Sequence, residues 1–89
     1  MVIRDDEYRC YGFELVPSNE SISKLESIEG HELMDKTKND ISFLGVHDTG
    51  KSVLFIFADN QACKKYMTYF SNIEDVRYVG ECAIKKEAI

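Results

Sequence analysis

The stretch from Phe43 to Asp59 reads FLGVHDTGKSVLFIFAD, and the fold depends on how it is interpreted. Residues Gly45–Ser52 fit the phosphate-binding pattern G-x-x-x-x-G-K-[ST] letter for letter. The same residues also lie between two apolar runs that are joined by a short polar turn, which is the pattern of a β-hairpin. The two interpretations predict different folds and different functions.

The residues after Ser52 favour the hairpin. In a phosphate-binding loop the glycine-rich segment runs from a strand directly into a helix. Here Ser52 is succeeded by Val53–Phe57, a β-branched and aromatic run without a helical stripe. We therefore predict a three-residue loop, Asp48-Thr49-Gly50, with Gly50 in the left-handed conformation. This interpretation leaves no nucleotide-binding site in Gly45–Ser52.

Four segments of the chain predict strands. The first shows an alternation in which Tyr11, Phe13 and Leu15 lie on one face. The last places Val76, Tyr78, Gly80, Cys82 and Ile84 on one face by the same period of two. The predicted strands are Tyr8–Val16, Ile41–Val46, Ser52–Ala58 and Val76–Ile84.

Two segments predict helices. The first begins at Ser18 as N-cap and ends at Gly30, with a further turn possible over His31–Lys36 and a polar loop over Lys36–Asp40. Its apolar stripe is Ile22, Leu25 and Ile28. The second begins at Asp59 or Asn60 and ends at Ser71-Asn72, with Asn72 in a left-handed conformation. Its stripe is Ala62, Cys63, Tyr66, Met67 and Phe70.

The resulting order is strand, helix, strand, strand, helix, strand. This is the split β-α-β arrangement of a two-layer α+β sandwich of the ferredoxin-like type. It predicts a four-stranded antiparallel sheet of order 4-1-3-2 with both helices on one face. With 89 residues, the chain is expected to be one domain, residues 1–89, with loose ends at 1–6 and 86–89.

Charge and cysteine content narrow the range of partners. The formal net charge is −5, and residues 1–40 carry all of it, with ten acids and five bases. A nucleic-acid partner calls for a basic surface, so we expect none. The sequence shows neither a signal peptide nor an apolar run long enough to span a membrane, which predicts a cytoplasmic protein with reduced thiols.

Metal and cofactor sites are not expected. Cys10, Cys63 and Cys82 are widely spaced, and the two histidines form no close pair with each other or with a cysteine. The predicted strand order could make Cys10 and Cys82 neighbours on adjacent strands, but two ligands are fewer than a zinc site needs. We therefore predict no bound metal and no cofactor.

The third strand carries the main functional prediction. It is apolar from Val53 to Ala58, whereas a strand with one face in water should alternate. Either Val53, Phe55 and Phe57 or Leu54, Ile56 and Ala58 face away from the helices, and in both cases an apolar patch results. The predicted partner-binding residues are Val53, Phe55 and Phe57 with a rim of Glu14, Arg77 and Glu81, and the acidic first helix at Glu26 and Glu29.

These observations predict a small non-catalytic protein that binds another protein or itself. It would act as an adaptor or as an inhibitor of a larger machine, a profile shared by many small phage-encoded inhibitors. An alternative is a homodimeric domain that senses a small molecule. Weaker alternatives are an RNA-recognition-type domain and a small dimeric enzyme, for which His47 and Tyr78 are the only candidates.

Overall fold

A computed structural model describes residues 3–16 and 27–88 of the chain. A short 3₁₀ turn, Lys86–Ala88, follows the last strand. The described strands and helices are β1 (Glu7–Leu15), α1 (Ile28–Lys38), β2 (Phe43–Asp48), β3 (Val53–Phe57), α2 (Asn60–Phe70) and β4 (Val76–Lys85).

The four strands form one antiparallel sheet of order β2-β3-β1-β4. This confirms the predicted ferredoxin-like α+β fold and its strand order, because 4-1-3-2 is the same order taken from the other edge. β1 and β3 lie inside the sheet, and β2 and β4 are its edges. Within residues 3–16 and 27–88, neither helix is long and apolar enough to cross a membrane.

Stacked aromatic rings form the core between the sheet and the helices. The Phe13 ring of β1 lies 5.0 Å from Phe55 and 5.8 Å from Phe57 of β3, centroid to centroid. Phe70 of α2 lies 5.0 Å from Phe55, and Tyr66 stacks on Phe57 at 5.5 Å. All five side chains are buried. The centre of the helix face of β1 and β3 is therefore aromatic, and Leu15 and Val53 continue it as aliphatic residues.

The β2–β3 connection is a hairpin, as predicted. Its loop has four residues, Thr49–Ser52, one more than expected, because Asp48 pairs directly with Val53. Gly50 has φ +85°, and its amide donates to Asp48 Oδ1 at 2.8 Å. Thr49 N donates to Ser52 O at 3.0 Å and closes the turn. The segment that matches the phosphate-binding pattern is thus part of a strand and a hairpin loop, and it leads into strand β3 rather than directly into a helix.

The first described helix differs from its prediction. It begins at Ile28, with Ser27 as N-cap accepting from Gly30 N at 3.2 Å, and runs to Lys38. Gly30 is therefore in the first turn, and its predicted role as a helix stop is wrong, as is the loop predicted at residues 36–38. Ile28 is exposed rather than on a buried stripe. The predicted start at Ser18 and the positions Ile22 and Leu25 lie outside the described residues.

Local charge explains why this helix continues past Gly30. Glu29 lies in the first turn, and Lys36 and Lys38 lie in the last. An acid near the N-terminus and bases near the C-terminus both interact favourably with the helix dipole. The inner face of the helix carries Leu33 and Met34, which pack against the core, together with the buried Thr37.

The second helix matches its prediction except at its end. Asp59 is the N-cap, with Oδ2 accepting from Ala62 N at 3.1 Å, and Cys63, Tyr66 and Phe70 are buried on the predicted stripe. The C-cap Ser71 has a right-handed conformation. Among the described residues only glycines have positive φ, so the left-handed conformation predicted for Asn72 is wrong.

A β-bulge divides the last strand into two halves. Gly12 pairs with Gly80 and Phe13 with Tyr78, so Val79 is an extra residue in β4. Gly80 has φ +88°. Because a bulge reverses the alternation of a strand, the predicted common face for Val76 to Ile84 is wrong. Val76 and Tyr78 lie on the helix side, whereas Cys82 and Ile84, opposite Cys10 and Tyr8, lie on the other side.

This bulge predicts a specific glycine requirement. We expect Gly80→Ala to lower the free energy of unfolding by about 1–2 kcal/mol, because a side chain disfavours the left-handed region. Gly45→Ala is the matched control, since Gly45 is a strand glycine without positive φ and with no atom within 4 Å of an added Cβ. It should change stability by less than about 0.5 kcal/mol. Urea unfolding measures both changes, and equal losses in the free energy of unfolding for Gly80→Ala and Gly45→Ala would contradict the role of Gly80 in the bulge.

Candidate functional site

The third strand turns its aromatic side chains toward the helices. Phe55 and Phe57 are 1% and 0% exposed, and Val53 packs against the same core. The prediction that these three residues form an accessible partner-binding patch is therefore wrong. The reverse orientation holds, because the Phe13 and Phe70 rings require aromatic partners on the helix side. Leu54 and Ile56 face the other way.

We call the surface of the sheet turned away from α1 and α2 the distal face. Gly12 lies on it, and a Cβ added there would meet Leu54 Cδ1 at 3.2 Å and Val79 Cβ at 3.9 Å. Cys10 and Ile56 are buried, whereas Tyr8 and Val79 are 47% and 44% exposed. The apolar distal residues from β1, β3 and β4 are Tyr8, Cys10, Gly12, Leu54, Ile56, Val79, Cys82 and Ile84.

None of these residues was among the predicted partner-binding residues, and two of them, Tyr8 and Val79, are exposed. Tyr8 could have been recognised from sequence, because it is two residues before Cys10 and therefore shares its face in a regular strand. Val79 could not, because its position depends on the bulge. The predicted alternation of β4 placed Val79 opposite to Cys82 and Ile84, and the bulge brings all three to the distal face.

The predicted charged rim is only partly on this face. Glu14 pairs with Arg77 at one end of the distal face, and Glu14 Oε2 also accepts from Ser52 Oγ at 3.0 Å. Glu81 lies on the helix side instead, opposite Tyr11, where Oε1 is 3.0 Å from Arg9 Nε. Its placement with the rim was wrong because the bulge precedes it.

Only part of the acidic patch predicted on the first helix lies within the described residues. Glu29 is exposed in the first turn of α1, and Asp35 is exposed farther along. Glu26 lies outside the described residues. Lys36 and Lys38 are carried by the same helix, so its outer surface is mixed in charge.

A cavity opens at the end of the sheet where β1 begins and β3 ends. Its volume is about 360 Å³, and it is lined mostly by apolar atoms of Tyr8, Arg9, Leu44 and Ala58. Leu44 comes from β2, at the position where the β2–β3 pairing is irregular. The cavity therefore adds apolar surface from β2 beside Tyr8, at this end of the sheet.

The weak catalytic candidates do not form a constellation. His47 is exposed on β2. The Tyr78 hydroxyl donates to Asn60 Oδ1 at 2.6 Å, and its ring lies under Lys64 Nζ on the helix side of the sheet. Among residues 3–16 and 27–88, no three His, Cys, Asp or Glu side chains converge on a point where a metal ion could bind.

The aromatic positions needed by an RNA-recognition-type domain are not available here. Such a domain stacks bases on aromatic side chains of its open sheet face. Phe13 and Phe55 are instead buried among the core rings. Tyr8 is the aromatic side chain that the described strands place on the distal face, and Lys86 Nζ lies 5.2 Å from its ring centroid.

A polar network fixes the connection between α1 and β2. Asp40 Oδ2 accepts from the Tyr66 hydroxyl at 2.8 Å, and Oδ1 accepts from Ser42 N and Oγ at 2.9 and 2.6 Å. The hydrogen bonds from Ser42, and then that from Tyr66, lower the pKa of Asp40. Burial and the Asp40 hydrogen bond raise the pKa of Tyr66 to about 12. The network ties the loop to α2, a structural role.

One buried carboxylate lacks a full set of hydrogen bonds. Glu74, between α2 and β4, accepts from Asp75 N through Oε1 at 3.1 Å. Its Oε2 atom is buried and has no hydrogen-bond partner in the described part of the chain. Within those residues, no metal-binding cluster of acids, histidines or cysteines includes Glu74.

Comparison with known proteins gives no assignment. No family model matches the chain, and no curated protein or solved structure matches it at a significant level.

Proposed function

We propose that this chain is a small non-catalytic protein-binding module. It recognises another protein, or a second copy of itself, through the distal face, and acts in the cytoplasm as an adaptor or inhibitor. The observation that carries this proposal is the apolar character of the face, with exposed side chains at Tyr8 on β1 and Val79 on β4. Contiguous apolar surface on a small domain commonly marks an interaction site.

The rim and the cavity fit this role. The Glu14–Arg77 ion pair gives one end of the face a polar border, as protein interfaces usually have around an apolar centre. The cavity beside Tyr8 gives the other end a concave surface that can receive a partner side chain. The mixed charge of α1 makes its outer surface a weaker candidate than the distal face.

A second candidate function is the binding of a small apolar molecule in the cavity at Tyr8, Leu44 and Ala58. Its volume of about 360 Å³ lies within the range of small-ligand sites. Few polar side chains converge there to fix a ligand, so we rank this function second. Val79 does not line the cavity, which allows the two functions to be separated by substitution.

Two valine substitutions test the proposed interface. Val79 and Val46 are 44% and 43% exposed, but Val46 pairs with Phe55 and therefore lies on the helix side of its strand. We expect Val79→Asp to weaken binding at least about tenfold, because a desolvated charge would enter an apolar contact. Val46→Asp should leave the affinity unchanged.

The measurement has two arms. Light scattering during size-exclusion chromatography of concentrated protein reports self-association, and affinity capture from the source cells with subsequent titration of the purified partner reports binding to another protein. Circular dichroism checks that both variants are folded. Loss of binding in both variants, or in neither, would contradict the distal face as the interface, whereas binding of small apolar ligands unaffected by Val79→Asp would support the second candidate.

A further inference from the structure

Two of the three cysteines face each other across the β1–β4 pair. Cys10 and Cys82 are direct partners in the antiparallel register, and their Sγ atoms are 2.8 Å apart. Both are free thiols. We propose that Cys10 and Cys82 form a reversible intramolecular disulfide, which makes this pair a redox-sensitive modification site. The proposal does not rest on the proposed function, although both thiols lie on the distal face.

The backbone already has the geometry that the bond requires. Residues directly opposite each other in an antiparallel pair have Cα atoms about 4.5–5.5 Å apart. A disulfide spans Cα separations of about 4.4–6.8 Å. The bond can therefore form through small side-chain rotations, without breaking the pairing of β1 and β4.

The third thiol does not compete for this bond. Cys63 belongs to α2 and is buried in the aromatic core, on the helix side of the sheet. Cys10 and Cys82 lie on the distal face, where Cys10 alternates with the core-packed Tyr11. The backbone of the sheet separates Cys63 from the pair, so Cys10–Cys82 is the expected pairing.

The accessibility of the two sulfurs sets the order of the reaction. Cys82 is partly exposed, whereas Cys10 is fully buried. The Cys82 thiolate attacks one sulfur of a small disulfide, such as oxidised glutathione, and releases one molecule of reduced thiol. Cys10 then loses its proton to solvent and attacks Cys82 Sγ, which displaces the second thiol. Two protein thiols are oxidised and one small disulfide is reduced to two thiols.

Burial slows the second step. Burial, followed by the hydrogen bond and then the charge of Cys82, raises the pKa of Cys10 to about 12. A thiol with such a pKa is a thiolate only rarely near neutral pH, so closure of the bond depends on oxidant and time. The pair should therefore remain reduced in a reducing compartment and close under sustained oxidation.

The disulfide would crosslink β4, an edge strand, to β1, a central strand of the sheet. Cys10 and Cys82 are 72 positions apart, so the crosslink encloses most of the chain. Crosslinks that close long loops restrict the unfolded chain strongly. β4 also carries Val79 and Ile84 of the distal face, so oxidation would restrict the opening of β4 at that surface.

The experiment oxidises the full, folded chain with oxidised glutathione at mildly alkaline pH. The chain is then unfolded in urea so that the remaining thiols react with N-ethylmaleimide, and mass spectrometry after digestion identifies the linked peptides. We expect a Cys10–Cys82 peptide and one blocked thiol at Cys63. Thermal unfolding should shift upward by at least about 5 °C and return to its original midpoint on reduction with dithiothreitol.

Two variants make the result decisive. Cys63→Ala should form the same linked peptide, whereas Cys82→Ser should form none and show no thermal shift on oxidation. Because Cys82 is partly exposed, its serine variant is better tolerated than a change at Cys10. A stable glutathione adduct without closure, a crosslink to Cys63, or a pair that stays reduced under sustained oxidant would each overturn the proposal, and peptide mapping of the unaltered chain decides this even if a variant fails to fold.

Discussion

Replacing Phe55 with alanine is expected to remove a large share of the stability of this protein. Phe55 is 1% exposed, and its ring lies 5.0 Å from both Phe13 and Phe70. Removing a buried phenylalanine costs about 3–5 kcal/mol through lost burial and the cavity left behind. Total stabilities of small domains are on the order of 5–15 kcal/mol, so Phe55→Ala should remove a large share. Urea unfolding monitored by circular dichroism measures the loss.

An exposed aromatic residue provides the control for this substitution. Tyr8 is also a strand residue, but it is 47% exposed on the distal face. We expect Tyr8→Ala to lower the free energy of unfolding by less than about 1 kcal/mol, as surface substitutions usually do. If Phe55→Ala lowered the free energy of unfolding no more than Tyr8→Ala does, Phe55 would not be a core residue. The assignment of Phe55 and Phe57 to the helix side of β3 would then be wrong.

Alkaline pH is expected to destabilise the fold in a defined window. Burial raises the pKa of Cys10 from 9.0 to about 12 and that of Cys63 from 9.0 to about 11, and burial with the Asp40 hydrogen bond raises that of Tyr66 from 10.0 to about 12. In each case the unfolded state loses its proton first as the pH rises. The stability contributed by these neutral groups is therefore complete below about pH 9 and is lost progressively between about pH 9 and 12.

A pH series of thermal midpoints tests this expectation. The midpoint should be nearly constant from pH 7 to about pH 8.5 and fall steeply above about pH 9. Cys63→Ala removes one of the three groups, so its midpoint should start lower and fall less steeply over this window. A midpoint that stays constant up to about pH 11 would show that these groups ionise equally easily in the folded and unfolded chain.

Oxidation is expected to raise the stability of the fold and alkaline pH to lower it, and both act through the Cys10 thiol. Cys10 contributes to stability as a buried neutral thiol in the reduced protein. Once it is part of a disulfide it no longer titrates, so the oxidised form should be less sensitive to alkali than the reduced form. The thermal midpoints of the oxidised and reduced forms across alkaline pH therefore test the proposed disulfide without any binding partner.

Only two of the three predicted rim residues lie together on the distal face, and one local feature explains the difference. Glu14 and Arg77 lie at the edge of the distal face as expected, because they pair before the bulge is reached. Glu81 comes after the bulge and points to the helix side. A single extra residue at Val79 therefore moved one predicted residue off the face and brought Val79 onto it. No signal in the sequence alone marked Gly80 as a bulge glycine rather than an ordinary strand residue.

The start of the first described helix shows a second limit of local patterns. Ser18 and Ser27 are both reasonable N-caps, and Gly30 is a common helix terminator. In the structure Ser27 caps the helix and Gly30 is buried in its first turn. The favourable charges at both ends and the packing of Leu33 and Met34 on the core outweigh the low helix propensity of one glycine.

The sequence by itself determined the order of elements, the hairpin at Gly50 and the α2 stripe. These features depend on periods, caps and turn residues that lie close together in the chain. Only the tertiary structure decided which side of β3 is buried. Val53–Phe57 is apolar at every position and carries no alternation, so its orientation depends on rings supplied by β1 and α2. Phe13 and Phe70 turn Phe55 and Phe57 into the core, and Leu54 and Ile56 are left to form the distal face.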